Sequence, residues 1–117
     1  MKLSEITMAL VACLIADTVQ AHAHLAKSTP AEGSTLTAAP AVIEMTFSEP
    51  ARVTALTIQQ GEDPKQAVKE LPATTSEVQR VALPALAPGV YALTWRALAA
   101  DGHVSSGVVH FTIAPAR

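Results

Sequence analysis

Hydrophobic and polar residues alternate with a period of two along most of the chain after residue 22. The clearest runs cover residues 43–48, 54–58, 91–96 and 108–113, and a less regular run covers 78–83. This period places alternate side chains on opposite faces of a β-strand. No segment in this region keeps an apolar period of 3.6 residues over three helical turns. The pattern therefore predicts a chain built mainly from strands.

Turn-forming residues separate these runs. They are Pro30, Gly33, Pro40, Pro50, Gly61, Pro64, Pro72, Pro84, Pro88, Gly89 and Gly102. Short strands at roughly ten-residue spacing with such breaks are typical of a sandwich or barrel. We predict a small all-β fold, a Greek-key β-sandwich or barrel, in which Pro50 separates two strands. The longest polar stretch, residues 59–76, predicts a surface loop with a helical turn at 66–71.

The first 21 residues have the pattern of a secretory signal peptide. Lys2 precedes an apolar run at 6–16, and small or short residues precede a cleavage point after Ala21. The run is too short for a bilayer, which takes about 20 residues, so we predict no stable membrane insertion. Residues 22–117 then form one domain. Cleavage after Ala23, giving a chain that begins at His24, and lipidation of Cys13 within a lipobox-like sequence are the alternatives.

Composition excludes several classes of function. Lys and Arg number 8 against 10 Asp and Glu, and no basic cluster is present, which argues against nucleic-acid binding. The single Cys excludes a disulfide framework and a thiolate zinc site. Removing 21 of the 117 residues leaves 96, with no Cys and with Met45 as the only Met. The processed chain thus has almost no sulfur ligands.

Histidines are the most informative polar residues. A chain beginning at His22 would offer its α-amine and its imidazole Nδ1 as a chelate, since both lose their protons near neutral pH. His103 would add a third nitrogen and Asp101 an anionic oxygen. Nitrogen-rich, tetragonal coordination favours Cu(II), which also leads the affinity order of divalent metals. We predict a site for one Cu(II) ion per chain.

Other interpretations of the same residues remain open. Asp101 and Gly102 are an ordinary pair for a hairpin turn. His110 is out of phase with its apolar neighbours, so it is expected to face solvent rather than bind metal. A terminal sequence with His24 in third place can also bind Cu(II) alone, through the amine, two deprotonated amides and the His24 imidazole.

Several short stretches, in this order and spacing, resemble the CopC family of periplasmic copper-resistance proteins over nearly the whole predicted mature chain. They are residues 22–25, 28–33, 47–49, 86–91, 95–96 and 100–103, with Gly107 and Phe111. The resemblance implies a cupredoxin- or immunoglobulin-like β-barrel in the periplasm that binds Cu(II). It assigns His22, Asp101 and His103 as the ligands and leaves His24 as an accessory residue beside the site. It also implies an inner-membrane copper transporter of the CopD type as a partner.

One departure from the family limits the function. Some members carry a Met-rich loop that holds Cu(I), whereas residues 59–75 contain no Met here and Met45 is expected in the core. We therefore expect no Cu(I) site and a carrier or buffer of Cu(II). We expect it to be non-catalytic, not an enzyme, because the four aromatic residues are on the predicted inward faces and leave no flat aromatic surface for a substrate. The alternatives are a copper-dependent oxidative enzyme that uses the N-terminal His chelate and a metal-free β-sandwich interaction module.

Overall fold

The computed structural model describes residues 23–115, which are arranged almost entirely as strands and turns. Among these residues, no helix is long and apolar enough to cross a membrane. The strands are β1 (Leu25–Thr29), β2 (Ser34–Leu36), β3 (Val42–Gln60), β4 (Gln66–Ala67), β5 (Ser76–Ala82), β6 (Gly89–Ala99) and β7 (Val104–Ile113).

Strand β3 connects the two halves of the fold. Its first part pairs antiparallel with β1 and β5, and its second part pairs with β4 and β6. The sheet then continues through β7 to β2, which lies parallel to β7. One strand thus belongs to both sides of a curled sheet that encloses a single core. The all-β prediction of a sandwich or barrel is confirmed.

The prediction that Pro50 separates two strands is wrong, because β3 continues through it. Proline has no backbone N–H and is excluded where a ladder needs a donor. Pairing of β3 with β5 passes from Thr46 directly to Ala51, so Pro50 lies where no donor is required. Its carbonyl instead accepts a hydrogen bond from the N–H of Ala100. The proline marks the point where β3 exchanges its partners.

The facing of residues 54–58 also differs from the prediction. Thr54 was expected to share a face with Leu56 and Ile58, yet Thr54 is exposed while the other two are buried. The register with β6 shifts between Val53 and Ala55. An extra residue in one strand reverses the faces of all later residues. The next buried residue after Val53 is therefore Leu56, three positions later, instead of Ala55.

The predicted helical turn at 66–71 is not present. Gln66 and Ala67 form β4 against Ile58 and Thr57 of β3, and the N–H of Val68 donates to the carbonyl of Leu56. A single helical turn gains too few hydrogen bonds to offset its nucleation cost, so pairing with an available strand edge is favoured. Strand β5 agrees with the prediction for 78–83.

Aromatic side chains form the centre of the core. Phe47 and Trp95 meet edge to face with ring centroids 5.4 Å apart, and Tyr91 stacks on Phe111 at 5.5 Å. All four are at most 4 % exposed, and Met45 is fully buried, as the alternation predicted. Gly107 faces Trp95 closely, since a Cβ there would lie 2.9 Å from Cζ2 of the indole.

Candidate metal centre

The turn between β6 and β7 presents Asp101 and His103 at one end of the sheet. The N–H of Gly102 donates to the carbonyl of Ala99, and the N–H of Ala99 donates to the carbonyl of His103. Gly102 has a φ of 93°, a left-handed conformation that glycine adopts without steric cost. The hairpin-turn interpretation of Asp101 and Gly102 is confirmed, and the same turn brings Asp101 to His103.

Asp101 contacts His103 through both carboxylate oxygens. Oδ1 accepts a hydrogen bond of 3.0 Å from the backbone N–H of His103, and Oδ2 lies 3.1 Å from the ring Nδ1. The side chains are 38 % and 55 % exposed, respectively, so solvent and ions reach both. The backbone hydrogen bond holds Oδ1 in place and so orients the carboxylate with Oδ2 toward the ring.

The 3.1 Å separation suits either a hydrogen bond or two ligands of one ion. Metal bonds of about 2.0–2.1 Å place neighbouring ligand atoms about 2.9 Å apart at right angles and about 3.3 Å apart at the tetrahedral angle. Nδ1 and Oδ2 fall within this range without any movement of the turn. A divalent ion could therefore bind between them.

The chain enters the described region beside this turn. The hydroxyl of Ser105 donates a 2.6 Å hydrogen bond to the carbonyl of Ala23, and Ala23 is fully buried. Ser105 lies two residues after His103, a distance of about 7 Å along an extended chain. Neither the contact nor the role of Ser105 was predicted, since nothing in the local sequence links it to a residue 82 positions earlier.

Ser48 of β3 holds the next residue, His24. The Ser48 hydroxyl accepts from the backbone N–H of His24 at 3.0 Å and lies 3.2 Å from its Nδ1, while the N–H of Ser48 donates to the His24 carbonyl. These contacts occupy the Nδ1 atom and both backbone groups of His24. The role of Ser48 was also missed, although its alternation with Phe47 correctly predicted an outward side chain.

The structure brings together only part of the predicted ligand set. Asp101 and His103 are in contact, and His24 lies against Ser48. Within residues 23–115, no three His, Cys, Asp or Glu side chains converge. His22 lies outside the described residues, so its assignment as a ligand stays a prediction.

His110 is exposed, as predicted, but it has a partner that the sequence did not indicate. Its Nδ1 lies 3.1 Å from Oε2 of Glu32, and its backbone N–H donates to Oε1 at 2.8 Å. This backbone hydrogen bond is the main cause that lowers the pKa of the Glu32 carboxyl; desolvation opposes it, and the His110 imidazole adds to it. No local pattern links these residues, which are 78 positions apart.

Comparisons with known proteins agree with this fold. The model of the CopC domain matches residues 25–114. Protein YobA of Escherichia coli K12 is 34 % identical over 110 residues, covering 89 % of this chain and 88 % of its own. Copper resistance protein C of Pseudomonas syringae pv. tomato is 32 % identical over 120 residues, covering 94 % of each chain.

Two further matches concern a longer protein and a solved structure. Copper transport protein CutJ of Bacillus subtilis is 36 % identical over 101 residues, which are 82 % of this chain but 19 % of CutJ. The crystal structure of CopC from Methylosinus trichosporium OB3b superposes with a TM-score of 0.68 at 23 % identity, covering 82 % of this chain and 97 % of that one. The domain match and the full-length relatives together show that this chain belongs to the CopC family.

Proposed function

We propose that this protein is a periplasmic, non-catalytic Cu(II) carrier that acts in copper resistance. In this proposal, residues 1–21 are a cleaved signal peptide and residues 22–117 form the mature domain. The α-amine and Nδ1 of His22, with side-chain donors from Asp101 and His103, bind one Cu(II) ion per chain. His24 lies beside the site as an accessory residue.

One observation carries the proposal: the hydrogen bond between Ser105 Oγ and the carbonyl of Ala23. It holds the chain beside the Asp101–His103 turn only one peptide bond after His22. Consecutive Cα atoms are about 3.8 Å apart, so a residue attached to Ala23 is within reach of that turn. An amine created at His22 would meet an imidazole and a carboxylate that the turn already holds at ligand spacing.

The relatives support copper as the ion and a membrane transporter as the partner. One relative that matches over nearly its full length is named a copper resistance protein, and a longer relative, of which the match covers 19 %, is named a copper transport protein. In CutJ, a stretch similar to this chain is part of a longer protein named for copper transport. This arrangement supports the proposal that the present chain, as a separate domain, passes copper to a membrane protein of the CopD type. Met45, the one Met left after removal of residues 1–21, is buried in the core, which disfavours a thioether site for Cu(I).

An oxidative enzyme is the less favoured function. Enzymes that attack polysaccharides with an N-terminal His chelate bind the substrate on a flat surface bearing aromatic rings. The chain has only four aromatic residues, and all four are buried in the core. The surface around Asp101 therefore lacks such a platform. Hydrogen peroxide consumption by the copper-loaded protein with ascorbate should stay at the level of free buffer.

Binding of Cu(II) by residues 22–24 alone is also disfavoured. That arrangement needs the amide nitrogens of Ala23 and His24 as deprotonated ligands. The His24 amide already donates to Ser48, and Ala23 is buried with its carbonyl bound to Ser105. Wrapping the terminus around the ion would break these contacts. The preorganised Asp101–His103 turn requires no such rearrangement.

The first test combines intact mass with Cu(II) titration of the protein as an exporting host processes it. We expect a chain that begins at His22 and an electron paramagnetic resonance signal of one tetragonal, nitrogen-rich Cu(II) per chain. A short N-terminal extension turns the His22 amine into an amide and should weaken binding about 100-fold or more. Equal affinity with and without the extension, or a mature chain that begins elsewhere, would contradict the proposal.

The second test concerns the position of the terminus. Ser105→Ala removes the hydroxyl that holds Ala23 and should weaken Cu(II) binding about tenfold, as expected when a group that orients a ligand is lost. Ser106→Ala is the matched control, because Ser106 is the next residue of β7 and is exposed on the other face. Calorimetric titration with Cu(II) measures the affinity of both variants. Equal affinities would show that the Ser105–Ala23 contact does not position the site.

A further inference from the structure

A second pair of side chains, which includes His110 of β7, repeats the geometry of Asp101 and His103. In both pairs, the backbone N–H of the histidine donates to one carboxylate oxygen, at 3.0 Å for His103 and 2.8 Å for His110. In both, the other carboxylate oxygen lies 3.1 Å from the ring Nδ1. The carboxylate beside His110 is Glu32, which comes from a distant turn rather than from the same hairpin.

The turn that carries Glu32 is held firmly against β7. The N–H of Gly33 donates to the carbonyl of His110 at 2.7 Å, so both backbone groups of His110 are bound by this turn. Within the turn, the backbone N–H and the hydroxyl of Ser34 both donate to the carbonyl of Ala31. The carboxylate of Glu32 is therefore held beside the imidazole by hydrogen bonds that do not involve Nδ1 or Oε2.

We propose that His110 Nδ1 and Glu32 Oε2 form a second, weaker site for a divalent cation of the Cu(II) type. Their spacing fits two neighbouring ligands of one ion, by the same geometry as at the first pair. One imidazole and one carboxylate suit a borderline divalent ion, and Cu(II) leads the affinity order for such ligands. The side chains are 57 % and 64 % exposed, so water can complete the coordination.

The two sites are separate and unequal. His103 and His110 are seven residues apart and the chain between them is strand β7, which corresponds to about 23 Å at the rise of a strand, so no ion can be shared. The second pair offers two protein ligands, whereas the first has additional donors in the proposed function. Lys27 lines the same open groove as Glu32 and His110, and its positive charge opposes a cation there. Binding at the second pair should therefore be the weaker.

Paramagnetic broadening of amide NMR signals during a Cu(II) titration tests this inference. After the first equivalent, further Cu(II) should broaden the signals of Glu32, Gly33 and His110 selectively. Glu32→Gln keeps an oxygen that can accept from the His110 N–H but removes the anionic ligand. It should weaken this second binding step at least about tenfold, and His110→Ala should weaken it as much or more.

Glu44→Gln is the matched control, because Glu44 is another surface carboxylate, paired with Arg80 rather than with an imidazole. It should leave the second step unchanged. Equal second-step affinities for Glu32→Gln and Glu44→Gln, or no selective broadening in excess Cu(II), would overturn the inference. The result is independent of the proposed function, since failure of the first site would abolish the first step and leave the effect of Glu32→Gln in place.

Discussion

Replacing His103 by alanine is expected to weaken Cu(II) binding by about 100-fold or more. The change removes an imidazole nitrogen and leaves Asp101 without the ring that lies 3.1 Å from its Oδ2. Loss of one strong nitrogen donor should lower the Cu(II) affinity by the whole contribution of that donor, because the alanine side chain offers no ligand in its place. Competition with a chelator of known affinity, followed by electron paramagnetic resonance, measures both the affinity and the lost nitrogen.

His110→Ala is the control for this prediction, since it removes the same type of residue from β7, the strand that follows His103. His110 lies far from the Asp101 turn and binds Glu32 instead. The tight first equivalent of Cu(II) should be bound by this variant as by the unmodified protein. A His103→Ala variant that binds Cu(II) as tightly as His110→Ala would remove the Asp101–His103 pair from the proposed site.

Asp101→Asn separates the charge of the carboxylate from its structural role. Asparagine Oδ1 can still accept from the His103 N–H, so the turn should persist. Loss of the anionic ligand should then weaken Cu(II) binding about tenfold without changing the midpoint of urea unfolding.

Replacing Phe47 by alanine is expected to give the largest loss of stability, about 3–5 kcal/mol. The ring is 2 % exposed and packs edge to face on Trp95, so truncation leaves a cavity in the centre of the core. Phe47 also pairs with Leu25 and directly precedes Ser48, which holds His24. Urea unfolding followed by the fluorescence of Trp95 measures the change.

Two further variants keep this prediction testable if Phe47→Ala fails to fold. Phe47→Leu retains much of the apolar volume and should lose about 1–2 kcal/mol. Val78→Ala removes an apolar side chain that is 41 % exposed and should change stability by less than about 0.5 kcal/mol. A loss for Phe47→Leu no greater than that for Val78→Ala would contradict the central position of Phe47 in the core.

The predicted parts of the fold are those that depend on local alternation. Tyr91, Trp95 and Phe111 occupy the core because every second residue of a strand shares a face. Where the prediction was wrong, pairing with a distant strand had overridden the preference of the local sequence. Pro50 continues a strand because it lies between two ladders, and Gln66 pairs with Ile58 instead of starting a helical turn.

Strands β1 and β2 were not predicted, for a related reason. β1 contains mainly polar residues, and β2 has only three, so neither shows enough alternation to be distinguished from loop. Each becomes a strand by pairing with a long neighbour, β1 with β3 and β2 with β7. An exposed strand edge offers backbone hydrogen bonds to any segment that reaches it.

The candidate site also has contacts that the local sequence predicts and contacts that depend on distant strands. Asp101 and His103 could be proposed as a pair because a two-residue separation at a turn brings them together locally. The sequence also shows which side chains could bind Cu(II) and which residues resemble the CopC family. The contact between Asp101 and His103 is predictable from spacing along the chain because it is made within one turn.

Only the folded chain shows that Ser105 holds Ala23 and that Glu32 meets His110. These contacts join residues about 80 positions apart and depend on the order and register of β1, β3, β6 and β7. A period of two specifies which face a side chain occupies but not which distant strand lies beside it. Strand order and register therefore decide where Ala23 lies and where a second imidazole–carboxylate pair forms.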